Sequence, residues 1–168
     1  MNRSMKHNQL LDLMSQDLPN ITYQKRLNYR TNKREVLALF KVINKEIFSN
    51  KLPIPEIQIL PRCREYWGLC IANGFTLGDD PTISNCTIRL MDKWYCKQWL
   101  ITVLAHEMCH QYQWDVNSRK RIKEGRKPLM SHGPSFFHFK DKLASHGISL
   151  KRAHGRRNWF IYQNFNKC

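Results

Sequence analysis

Long apolar runs are missing from this chain of 168 residues. None approaches the roughly 18–20 residues that span a bilayer, which excludes a helical membrane protein. Residues 1–20, MNRSMKHNQLLDLMSQDLPN, lack the apolar core of a secretory signal, so an intracellular, non-secreted protein is expected, cytoplasmic or nuclear/nucleoid. Paired cysteines are also missing. The six cysteines stand at 63, 70, 86, 96, 109 and 168, with no C-x-x-C spacing. That excludes a zinc ribbon and a thioredoxin-like motif. Free thiols, mostly small core residues, are expected in a reducing compartment. Acidic side chains are scarce, 13 against 28 Lys and Arg, for a net charge of +15. There is no internal repeat and no low-complexity segment.

The length suits a single domain. A hydrophobic content of 42% and an aromatic content of 11% are enough for a packed core. The positive charge sits at the ends, with balances of +5 over 1–34, −1 over 35–118 and +11 over 119–168. Such a field favours a polyanion, nucleic acid before membrane.

Apolar spacing predicts a short helix over 6–18 and a buried helix over 34–48 that Pro53 and Pro55 bring to an end. Residues 20–32 read as a polar, basic loop or arm. Strands are expected at 56–60, 66–76 and 82–90, the last two separated by a turn at 78–81. A helix follows from about Lys97 to Val116, then a basic loop over 117–131. Another helix runs from Gly133-Pro134 to about Ser145.

The segment His106-Glu107-Met108-Cys109-His110 matches H-E-x-x-H inside the predicted 97–116 helix. Residues four apart share a helix face, so the two imidazoles can converge on one ion. Glu107 lies about 100° further round the helix. From there it can take a proton from a water activated by that ion and pass it to a leaving amine. The apolar run Trp99–Ala105 leads into the motif, and burying two histidines and a glutamate without a partner is costly.

A catalytic site needs a third protein ligand. Leu129 stands where a thermolysin-like site has glutamate. Gln113 and Val116 stand where a metzincin has glycine and histidine. His132 is the best candidate, in Ser131-His132-Gly133-Pro134-Ser135-Phe136. His138 is the alternative. His146 and His154 are weaker and read as surface residues.

Three blocks together resemble the SprT-like family of zinc metalloproteases, Spartan-type members included. They are Ile43–Phe48 with Lys51-Leu52-Pro53, then His106–His110, then His132–Phe136. The resemblance runs from about residue 34 to 146. It implies a compact α+β, zincin-like domain, with a small sheet beside the helices and H-E-x-x-H on a central helix. It implies one zinc per chain on His106, His110 and His132, with Glu107 as catalytic acid/base. It further implies cleavage of proteins crosslinked to DNA, switched on by DNA, particularly single-stranded DNA. On this reading 1–33 is a basic arm or short helix, 34–146 the protease domain and 147–168 a basic aromatic tail that stands in for the missing ribbon. A monomer is expected.

Two basic clusters are candidate nucleic-acid contacts. One is Arg119, Lys120, Arg121, Lys123, Arg126 and Lys127, between the second and third candidate ligands. The other is Lys151, Arg152, Arg156 and Arg157 with Trp159. Basic groups track phosphates and aromatics stack on unpaired bases. Strand 82–90 is the candidate edge for an extended protein substrate. Two other readings compete: a nucleic-acid-binding protein with a structural zinc, and a zinc protease with a general processing role. The carboxylate at 107 argues against a structural site.

Overall fold

The computed structural model describes residues 8–16, 27, 29–61, 66–75, 80–129 and 131–155. It is an α+β fold. Helix α1, Gln9–Ser15, is shorter than the expected 6–18 and is capped by the Asn8 side chain, which accepts from Leu11 N. Strand β1, Tyr29–Arg30, lies where a loop was expected. It pairs antiparallel with β5, Lys93–Trp94. Helix α2, Lys33–Glu46, starts at Asn32, whose side chain accepts from Glu35 N. The Glu35 carboxylate turns back to accept from the hydroxyls of Tyr29 and Thr31.

Helix α2 stops before the prolines that were expected to end it. Ser49 and Asn50 adopt left-handed backbone conformations, with φ of 55° and 58°. The Asn44 side chain fixes the exit by donating to Leu52 O at 2.8 Å and accepting from Leu52 N at 3.1 Å.

Strands β2 (Glu56–Leu60), β3 (Gly68–Ala72) and β4 (Cys86–Met91) form one sheet in the order β2-β4-β3. The β2–β4 pair is parallel and the β3–β4 pair antiparallel. The expected edge strand over 82–90 is therefore corrected. Its structured part is the central strand, hydrogen-bonded on both sides, and β3 is an edge.

Helix α3, Lys97–Gln111, is buried almost all round, as an evenly apolar helix must be. Two of its polar side chains bond to backbone carbonyls: Thr102 Oγ1 donates to Gln98 O at 2.9 Å within the helix, and Gln111 Nε2 to Pro53 O, far away in sequence, at 2.7 Å. The helical path does not end near 116. It widens into a π-helix, Tyr112–Ser118, and continues as α4, Arg119–Lys123. The first part of the expected 117–131 loop is thus helical. A 3-10 turn, Phe136–Phe139, leads into α5, Lys140–Ala144. Cys86, Cys96 and Cys109 are buried free thiols. No described helix is long and apolar enough to cross a membrane.

Candidate metal centre

Helix α3 carries His106 and His110 on one face, one turn apart. Their rings lie 5.0 Å apart, centroid to centroid. The loop before the 3-10 turn brings His132 against both. Its Nε2 is 3.1 Å from His110 Nε2 and 3.3 Å from His106 Nε2. The fully buried Phe136 ring packs against all three imidazoles at 4.5–4.8 Å and holds the loop on the helix.

Three imidazole nitrogens so close can share a metal ion. Bonds of about 2.0–2.1 Å in tetrahedral geometry separate neighbouring ligand atoms by about 3.3–3.4 Å. The two N···N separations, 3.1 and 3.3 Å, are close to that edge length. The donor set suits a borderline ion. Burial lowers the pKa of His106 far below normal, with His154, His110 and His132 adding to it. Burial lowers His110 to about 4, opposed by its bond to Gln113. Burial, and then Arg152, lower His132. Neutral imidazoles offer the lone pairs that a metal takes.

Glu107 is on the same helix and 5% exposed. Burial pushes its pKa up to about 8, opposed by a hydrogen bond from the Cys70 backbone. A cation on the histidines would pull it back down. Strand β3 lies directly against this carboxylate. A Cβ on Gly68 would sit 2.8 Å from Val103 Cγ1 and 3.0 Å from Glu107 Cγ, so only glycine allows this approach. A cleft of about 290 Å³ opens here, lined among others by Trp67, Gly68, His106, Glu107, Arg152 and His154.

Residues 36–154 match the profile of the SprT-like family. The chain belongs to the SprT-like family. No curated protein matches it. Membership makes this a protease-like domain, and SprT-like proteins are zinc-associated. The His106, His110 and His132 group could hold a metal ion in this SprT-like fold.

Of the other histidines, His138 is outside the triad, in line with the preference for His132, whereas His146 and His154 are not the surface residues expected. His138 stacks on Tyr112 at 6.4 Å, outside the triad. His146 is buried, 2.9 Å from the Asn8 amide nitrogen. His154 packs edge-on against Trp99 and His106, at 5.3 and 4.9 Å, and burial lowers its pKa to about 4. Neither its burial nor its place beside the triad had a signal in the sequence, because the segment 151–155 carries no periodicity.

The basic residues separate into two groups. Arg119 is turned inward: it donates to Asp115 O and Ile83 O and lies over the Phe75 ring at 4.9 Å. Arg121 donates to Lys127 O, and Arg126 pairs with Glu124. Lys120, Lys123, Arg126, Lys127 and Arg152 are exposed and Lys151 is half-buried. Arg156, Arg157 and Trp159 lie outside the described residues.

Sequence reading also missed Gln113, which it met only as a departure from another protease pattern. Its side chain touches His110 and the backbone next to His132.

Proposed function

We propose that this SprT-like protein is a zinc-dependent endopeptidase of zincin type, acting on proteins bound or crosslinked to DNA and stimulated by single-stranded DNA. The convergence of three imidazole nitrogens beside the buried carboxylate of the same helix carries the reading. His106, His110 and His132 would hold the zinc. Bound there, zinc supplies Lewis acidity to the substrate carbonyl and lowers the pKa of a water.

Glu107 would take a proton from the attacking water as the water oxygen bonds to the carbonyl carbon and the C=O electron pair moves onto oxygen. The same carboxyl then gives the proton to the amide nitrogen as the C–N bond breaks, leaving an acid and an amine. The substrate runs extended along the edge of β3, whose Gly68 backbone lies against Glu107. A substrate on that edge would have its scissile carbonyl near both the carboxylate and the histidines.

The DNA part of the reading rests on charge. The region from 119 onward carries a balance of +11, and the exposed Lys120, Lys123 and Lys127 project from or follow the helix that continues α3.

The test is cleavage of a DNA-binding protein with and without single-stranded DNA, for wild type and Glu107→Gln. Cleavage that needs both DNA and Glu107 is expected, with zinc content equal in the two proteins. Cleavage that ignores DNA removes the DNA-directed role. A folded, zinc-loaded wild type that cleaves nothing points to a structural zinc.

A further inference from the structure

We infer that Gln113 is a positioning residue for the metal centre: it fixes the tautomer of His110 and clips the His132 loop to the helix that carries the other two histidines. The inference rests on reading those histidines as metal ligands.

Gln113 is completely buried. Its Nε2 lies 2.9 Å from the backbone oxygen of Ser131 and 2.7 Å from Ser135 Oγ. A backbone carbonyl can only accept, so the nitrogen end of the carboxamide must face Ser131. That orientation turns Oε1 toward His110 Nδ1, at 3.1 Å. An amide oxygen can likewise only accept, so Nδ1 of His110 carries the proton. A neutral imidazole holds one proton. The lone pair is therefore on Nε2, the atom 3.1 Å from His132 Nε2. One carbonyl in the loop thus dictates, through a single amide, which nitrogen of a helix residue can bind metal.

The same amide has a second effect. Ser131 and Ser135 flank His132 in sequence, and both are held by Gln113. His132 is the only member of the triad that comes from outside α3, so its position depends on how its loop is tied down. Gln113 sits in the first turn of the π-helix, three residues beyond His110, on the side that faces this loop. Groups that orient a ligand imidazole in this way contribute about 10–100-fold to metal affinity.

The experiment uses the full chain. Zinc affinity is measured by competition with a chromophoric chelator for wild type and Gln113→Met, which keeps length and volume but has no amide. A loss of about 10–100-fold is expected. The Co²⁺-loaded variant is expected to lose the intense visible band of a tetrahedral site. A purely structural role would lower the melting temperature of the metal-free variant and leave both readouts as in wild type, and that outcome overturns the inference. The tautomer is tested in the metal-free wild type by histidine ¹⁵N chemical shifts, which does not depend on any variant folding. Protonation of His110 on Nδ1 is expected, and protonation on Nε2 overturns the inference. A wild-type chain that binds no zinc overturns the ligand reading itself, and the NMR measurement still decides the tautomer.

Discussion

Single atoms decide the chemistry at Gly68. Its missing Cβ is what lets β3 lie against Glu107, and an added methyl would meet a side chain at 2.8 Å and a carboxylate stem at 3.0 Å. Neither neighbour can move freely. Val103 is part of the core, and Glu107 is 5% exposed. Overpacking of this kind costs about 1–3 kcal/mol, taken up by shifting either the strand or the carboxylate. Gly68→Ala is therefore expected to lower kcat, because a shifted carboxylate or strand stabilises the transition state less, and about 1.4 kcal/mol lost there is tenfold in rate. Zinc content should stay at the wild-type level, because the atoms nearest an added Cβ belong to Val103 and Glu107 and not to the three histidines. Proteolysis assays beside metal analysis test this, and wild-type kcat would show that β3 is not where the substrate sits.

At the scale of elements, the ligand helix and the basic helix are one rod. Helix α3 passes through the π-helix into α4 without a break. The widened turn is pinned from inside. Asp115 accepts from Ser84 Oγ, Asn85 N and Gln111 Nε2, while Trp114 stacks on Phe75 and donates to Asn73 O at 2.8 Å. Polar capacity that a regular α-helix would leave facing the core is satisfied there by the turn before β4. Arg119 closes the same network, so it belongs to the fold. In this part of the chain Lys120, Lys123 and Lys127 are exposed and can meet phosphate. Triple charge reversal of Lys120, Lys123 and Lys127 is expected to abolish stimulation by single-stranded DNA and to flatten the salt dependence of binding, each lost phosphate contact removing about 0.7 from the slope. Fluorescence anisotropy at several salt concentrations measures it. Unchanged affinity would place the DNA elsewhere. Arg119→Ala, in contrast, is expected to lower the melting temperature while leaving the lysine contacts intact.

For the whole molecule, the histidines around the candidate metal centre link stability to pH. His110 and His154 have pKa values near 4, and His106 lies lower still, against an ordinary value of 6.5. Below pH 6.5 the unfolded chain takes up protons that the folded, metal-free protein refuses. Stability therefore rises with pH across this window. The histidine contribution is fully present above about 6.5 and is lost as pH falls toward 4; Glu107, raised to about 8, acts in the opposite direction but is one group against several. Melting curves of chelator-treated protein should show the midpoint dropping steadily over that range. A flat profile would mean that these rings are more hydrated than their burial indicates. Added zinc is expected to raise the midpoint at pH 7, since a ligand that binds only the folded state stabilises it.

Much of this was legible in one dimension because it depends on spacing. His106 and His110 share a helix face whatever the fold, and the apolar run before them places that helix inside. The strand at 56–60 and the buried helix beginning near 34 followed from period alone. Other features have no local signal. Which strand forms an edge depends on pairing order, and β4 took the centre because β2 joined it in parallel across an intervening strand. Strand β1 exists only because Lys93–Trp94 lies opposite it. Arg119 reads as one more cation in a basic run, yet its guanidinium is spent on carbonyls and an aromatic ring brought from residues 75 to 115. Gln113 reads as nothing until His110 and Ser131 are seen on either side of it. The sequence by itself determined the ligand types, their helical spacing and the sign of the field. The tertiary structure alone decided which partners those groups meet, because hydrogen bonds and burial act between residues far apart in the chain.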